Sequence, residues 1–300
     1  MKVERIDHVG IYVNDLEKAA DFFSGVFGFE FSRVFGAEGM DVREVVDTLG
    51  LDLLAAKSAD GPTARVIKHR GEGPAALSLK VPDIETGIAE MLANGIRMVH
   101  RGNHGDAAKW ATFHPKDTLG VFIELVEYKP GNPYLSASAQ SADALYICDK
   151  QPLIKVERID HVGIYVKDLD QAAKFFKKLF EFDFSAPFGP EHEDAIQVMD
   201  RLGVNLIASK TPGGPIAKLL ARRGEGLHNL TFKIPNIEVA IKGLTSKNVR
   251  MVSRGNYGKH AKWATFHPKD TFGVFINLVE YHVLHPYLAC FEEFQPKLLN

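Results

Sequence analysis

Apolar and polar residues alternate along "RIDHVGIYV" (residues 5–13), and β-branched side chains are frequent there. That pattern predicts a strand with two different faces. The next stretch, "DLEKAADFFSGVFG", changes period. Leu16, Ala19, Ala20 and Phe23 recur at helical spacing, Asn14 or Asp15 offers an N-cap, and Gly28 offers a stop. Strand-like "FEFSRV", "VREVVD" and "LDLLAA" follow. The order then restarts with strand "AALSLKV", helix "DIETGIAEMLANG" and strands "RMVHR", "KWATFH" and "GVFIELVEY". Each pass reads as a βαβββ unit, and two passes reach Tyr128.

From Val156 the whole pattern returns. "VERIDHVGIYV" begins at Val3 and again at Val156, an offset of 153 residues that holds without a gap to Tyr128/Tyr281. The stretches at 109–128 and 262–281 agree at 18 of 20 positions. An unbroken register of this length predicts duplication of one domain. The expected fold is α+β, with four βαβββ units in two tandem domains built on curved mixed sheets. The expected boundaries are 1–135 and 154–300. The linker 136–153 holds the small, polar "SASAQSAD".

The chain has 300 residues, 45% hydrophobic, with a formal charge of −2. This balance gives no global reason to expect nucleic acid or an anionic membrane as partner. No apolar run approaches the ~20 residues needed to span a bilayer. The first residues lack a signal peptide's apolar block. Cys148 and Cys290 offer no disulfide framework. A cytoplasmic protein acting on a small molecule is the expectation. The fused copies suggest a monomer with an internal pseudo-twofold, or a homodimer.

"DHVGIYVNDLEKAADFF", "GPTARVIKHRGEG" and "HPKDTLGVFIELVE", with their second-copy versions, resemble the vicinal oxygen chelate (glyoxalase) superfamily. The last two resemble methylmalonyl-CoA epimerases in particular. The resemblance implies four ligand positions for one divalent metal ion (Zn, Ni, Co, Mn or Fe). In copy one these fall on His8, Asp52, Ala76 and Glu124. In copy two they fall on His161, Asn205, Asn229 and Asn277. His228, beside Asn229, should point away from the cavity, because neighbours in a strand face opposite sides.

Imidazole nitrogen and carboxylate oxygen suit a divalent ion, and a neutral amide is a poor substitute. One metal site is therefore expected, held by His8, Asp52 and Glu124, with open positions for water or substrate. His161, Asn205, Asn229 and Asn277 are candidate substrate contacts. Lys116 and Lys269, in the repeated "FHPKD", are candidates for an anion such as a CoA phosphate. The resemblance also implies a carboxylate base, for which Glu38 in "FGAEG" is the candidate. The expected activity is a metal-dependent isomerase or lyase acting on a carbonyl or acyl-thioester substrate through an enolate-like intermediate. The alternatives are a metal-free small-molecule binding protein and a ring-cleaving dioxygenase. For the dioxygenase a second histidine ligand is missing.

Overall fold

The structure is a computed structural model that describes residues 1–36, 40–129, 151–189 and 193–282. Copy one contributes β1 (Arg5–Tyr12), β2 (Val42–Val46), β3 (Leu51–Ala56), β4 (Gly73–Lys80), β5 (Met98–His104), β6 (Ala108–Phe113) and β7 (Phe122–Tyr128). Its helices are α1 (Leu16–Phe27), α2 (Pro62–Arg70) and α3 (Ile84–Ala93). The strands form one sheet in the order β2-β3-β1-β4-β7-β6-β5. The sheet is mixed: β1 runs parallel to β3 and antiparallel to β4, and β4 runs parallel to β7.

Copy two repeats the plan with β8 (Arg158–Tyr165), β9 (Ile196–Met199), β10 (Val204–Ala208), β11 (Gly226–Lys233), β12 (Met251–Tyr257), β13 (Ala261–Phe266) and β14 (Phe275–Tyr281). Its helices are α4 (Leu169–Phe180), α5 (Pro215–Arg223) and α6 (Ile237–Ser246). Its sheet has the same neighbours, β12-β13-β14-β11-β8-β10-β9. The tandem α+β architecture read from the sequence is the observed one. Most of the expected linker, together with Cys148 and Cys290, lies outside the described residues.

Two local expectations need correction. "FEFSRV" is not a strand; it makes one isolated bridge, Phe31↔Asp47, and Phe35 just after it makes another, to Glu44. The chain thus meets β2 at Glu44 and the residue just past its end, Asp47, with no ladder between. The segment 62–70 is a helix that strand-to-strand counting passed over. Pro62 sits in its first turn, Lys68, His69 and Arg70 lie in its last, and Gly71 ends it.

Alternation divides each sheet into two faces. Val9, Ile11, Leu77, Leu79, Ile123 and Leu125 enter the helix-covered core. Their neighbours His8, Gly10, Asp52, Ser78 and Glu124 lie on the opposite face. Helix α1 secures the core side. Its N-cap is Asp15, which accepts a hydrogen bond from the Lys18 amide, and its C-cap is Gly28 at φ 74°. Each fully buried Phe on α1 contributes roughly 1.5–3 kcal/mol relative to exposure.

The copies share one continuous hydrophobic core. Phe22 and Phe23 of α1 meet Phe272 of copy two at centroid distances of 5.4 and 6.0 Å. Phe27 and Phe29 both meet Phe232 at 5.3 Å. At the junction, Gly120 (φ 80°) faces the Glu225 carbonyl, and a Cβ there would come within 1.8 Å of it. Gly273 (φ 77°) meets the Glu72 carbonyl in the same way. The contacts are reciprocal, as a pseudo-twofold between copies requires.

Candidate functional site

In copy one the open face of the sheet collects charge. His8 comes from β1, Asp52 from β3 and Glu124 from β7, all within one copy. His8 is 6% exposed and Asp52 4%. The His8 ring is held at both ends. Its Nδ1 lies 3.1 Å from Asp7 Oδ2, which also accepts the Tyr128 hydroxyl at 2.5 Å. Its Nε2 lies 3.2 Å from Glu124 Oε1, and the Ser78 hydroxyl donates to that same oxygen at 2.9 Å. Burial works against a charged ring, but hydrogen bonds to Asp7 and Glu124 outweigh it. His8 is held well above the ordinary histidine range.

Asp52 is pushed the same way for a different reason. Burial raises it first, and the charges of Glu44 and Glu124 add to that; His8 opposes them. Its Oδ1 is buried with no hydrogen-bond partner among the described residues. Glu44, on β2, is the acid that sequence reading passed over. It is 9% exposed, and the charges of Asp52, Glu44 and Glu124 all push up the buried Tyr12 phenol, after burial itself. Glu124 thus meets the imidazole directly, Asp52 lies on the same face, and Glu44 lies beyond Asp52, level with Tyr12. The signal for Glu44 was present in the repeat, since the 153-residue offset puts Gln197 opposite it. Glu38, the expected base, lies outside the described residues.

Copy two keeps the scaffold and loses the acids. His161 Nδ1 is 3.1 Å from Asp160 Oδ2, and the Tyr281 hydroxyl reaches that oxygen at 2.5 Å. These are the counterparts of Asp7 and Tyr128. Beyond the ring the copies differ: His161 Nε2 meets the Thr231 hydroxyl at 2.9 Å. Asn205 donates to Gln197 Oε1 at 2.8 Å. Glu44, Asp52 and Glu124 therefore become Gln197, Asn205 and Asn277, and Ala76 becomes Asn229. His161, Asn205, Asn229 and Asn277 all line a cavity of about 730 Å³. His228 does not line it; its Nε2 meets the Gly224 carbonyl at 3.2 Å.

Lys116 and Lys269 are exposed on the short 3₁₀ turns Pro115–Asp117 and Pro268–Asp270. Neither is brought to the open face of its sheet. Arg70 and Arg223 are half-buried and donate to the carbonyls of Gly120 and Gly273 at 2.8 and 3.2 Å. They tie α2 and α5 to the turns at the junction between copies.

The copy-one donor set suits a divalent ion in three respects. Asp7 holds Nδ1 of His8, which leaves Nε2 directed at the acids, the usual arrangement behind a metal-binding histidine. Asp52 has an orphaned buried oxygen. Glu124 Oε1 already lies 3.2 Å from that Nε2. Among the described residues no three such groups converge closely enough to form a ready-made metal cage. No helix there is long and apolar enough to cross a membrane.

The chain is 34% identical over 128 residues to "Methylmalonyl-CoA epimerase, mitochondrial" of Homo sapiens, covering 40% of this chain and 72% of that protein. It is 32% identical over 134 residues to the Bos taurus enzyme of the same name, covering 42% and 76%. Each match thus spans about one copy. A solved mutant of 4-hydroxymandelate synthase from Streptomyces coelicolor superposes over 97% of both chains, with a TM-score of 0.69 and 18% identity, which is a likeness of fold. These relatives are enzymes. Residues 5–125 and 160–266 each match a family model described as the Glyoxalase/Bleomycin resistance protein/Dioxygenase superfamily, and the chain belongs to that superfamily.

Proposed function

We propose that copy one is an epimerase-like enzyme that moves the proton on the carbon next to a thioester carbonyl, with methylmalonyl-CoA as the leading substrate. The observation that carries this reading is that Glu44, Asp52 and Glu124 share the sheet face of His8, with Glu124 3.2 Å from its Nε2. Its likeness to epimerases supports the substrate class.

His8, Asp52 and Glu124 would hold a divalent ion, with the place of Ala76 left to substrate or water. When bound, the ion supplies positive charge for the substrate oxygens on which negative charge develops. Glu44 is the general base. Its carboxylate takes the α-proton, and the C–H electron pair moves into the thioester carbonyl to give an enolate. A proton from the solvent pool returned to the opposite face of the carbon inverts the centre, and Glu44 gives up its proton to the same pool.

The test is hydrogen exchange. Methylmalonyl-CoA is incubated in D₂O with the protein and Co²⁺, Mn²⁺, Ni²⁺ or Zn²⁺, and the α-carbon is followed by NMR. Deuterium should enter, and Glu44→Gln should slow its entry by roughly 10²–10⁴-fold. Exchange that survives Glu44→Gln at full rate removes Glu44 from the mechanism. Absence of exchange with every ion removes the epimerase reading.

A further inference from the structure

We propose that the copy-two cavity is a separate binding site for an uncharged small molecule with an apolar body and hydroxyl or N–H donors. It stands apart from the copy-one reaction and does not depend on that reading. The cavity, of about 730 Å³, falls within the usual range for small-molecule sites. Aromatic side chains line it, among them Tyr165, Phe188, Trp263 and Phe275.

Its sheet floor has no carboxylate and no lysine or arginine; His161, Gln197, Asn205, Asn229, Thr231 and Asn277 are among the polar groups there. The charged lining groups are Glu193, Asp194, Lys218 and Arg222. They come from the segment before β9 and from α5. Asp194 is already engaged by Ser209 and Thr211. A ligand that reaches the floor therefore meets neutral partners.

Three of those partners lack a mate. Asn205 Oδ1, Asn229 Oδ1 and Asn277 Oδ1 are buried with no hydrogen bond among the described residues. Asn205 and Asn229 are each 3% exposed. A buried acceptor left unpaired is costly, and a ligand donor removes that cost. Each amide can also turn to present its N–H₂, so the set suits a group that both donates and accepts. The backbone makes room for this arrangement. A Cβ on Gly163 would lie 1.9 Å from Asn229 Oδ1, whereas in copy one Gly10 faces the methyl of Ala76. Replacing acids by amides on an intact scaffold exchanges a site for cations for one that prefers neutral molecules.

Two fluorescent probes with one skeleton test this. N-phenyl-1-naphthylamine is neutral, apolar and carries one N–H; 1-anilinonaphthalene-8-sulfonate adds a sulfonate. Both are titrated into the full chain. The neutral dye should bind saturably at one site per chain, at least about tenfold tighter than the sulfonate, which must desolvate its charge. Asn229→Leu should weaken it by roughly fivefold or more through loss of an acceptor. Ile207→Trp, which fills the cavity, should abolish it. Circular dichroism checks folding of each variant, and Asn277→Leu, at a half-buried position, replaces any that fails. No saturable binding of the neutral dye, equal or tighter binding of the sulfonate, or binding retained after the cavity is filled overturns the proposal.

Discussion

The two copies start from the same strand, "RIDHVGIY", and hold the same histidine in the same way, yet what the ring faces is opposite in character. In copy one His8 faces Glu124, with Asp52 on the same face and Glu44 beside Asp52. In copy two His161 faces the Thr231 hydroxyl, and the acids have become Asn277, Asn205 and Gln197. The orienting pair behind the ring is retained in both, Asp7 with Tyr128 and Asp160 with Tyr281. The difference teaches that the scaffold and the chemistry vary separately. Strand alternation and the Asp–Tyr support fix where the histidine points. On the proposed reading, three carboxyl-to-amide exchanges decide whether that place suits a cation or a neutral molecule.

The comparison can be broken most severely at Glu44. Glu44→Gln gives copy one the residue of copy two, and proton exchange should fall by roughly 10²–10⁴-fold with the fold retained. NMR of the α-carbon measures this.

A second difference concerns acid. His228 in copy two corresponds to Ala75 in copy one. Burial lowers its pKa to about 4; the Gly224 carbonyl works against that, and the charges of Arg223 and Arg70 add to it. A histidine depressed in the folded state contributes stability that is present above its unfolded value near 6.5. That stability is lost as pH falls towards about 4, because the unfolded chain takes up the proton first. The loss should be roughly 2–3 kcal/mol over that window. Urea unfolding at several pH values checks it. His228→Ala should flatten the profile between pH 6.5 and 4, even if the variant is less stable at pH 7. An unchanged slope would remove His228 as the cause.

The smallest expected effect is at the helix ends. α1 stops at Gly28 with φ 74°, while α4 stops at Glu181 with φ 56°. A residue with a Cβ is disfavoured in that region. Glu181→Gly should therefore raise stability by roughly 0.5–1 kcal/mol, less whatever the exposed Glu181 carboxylate gains from the Met1 ammonium 3.6 Å away. Thermal unfolding reads this directly, and a loss of stability would show the ion pair to be the larger contribution.

Much of the fold was legible because the duplication repeats every signal. Alternation in "RIDHVGIYV", the Asp15 cap and the Gly28 stop each have a physical reading that the structure bears out. "FEFSRV" misled because its composition is strand-like while it makes a single isolated bridge, Phe31↔Asp47, just past the end of β2. The α2 helix was missed because its apolar face is narrow: Ile67 is its one buried residue. At the site, His8, Asp52 and Glu124 could be set on one face from strand alternation. Glu44 was passed over because the search for a base looked to a loop carboxylate. A charged residue inside "VREVV", matched by an amide 153 positions later, carried the stronger signal. Which side chains meet across the sheet depends on strand order, and a one-dimensional pattern does not contain that order.

The central claim is that one copy carries the cation site. Calorimetric titration of the purified, chelator-treated chain with Zn²⁺ or Co²⁺ tests it most directly. It is run on the wild type, on Glu124→Gln, and on a copy-two variant carrying Gln197→Glu, Asn205→Asp and Asn277→Glu. The expected result is one ion per chain in the wild type, none in Glu124→Gln, and a second ion once the three acids are restored. Two ions in the wild type, or full affinity in Glu124→Gln, would contradict the account.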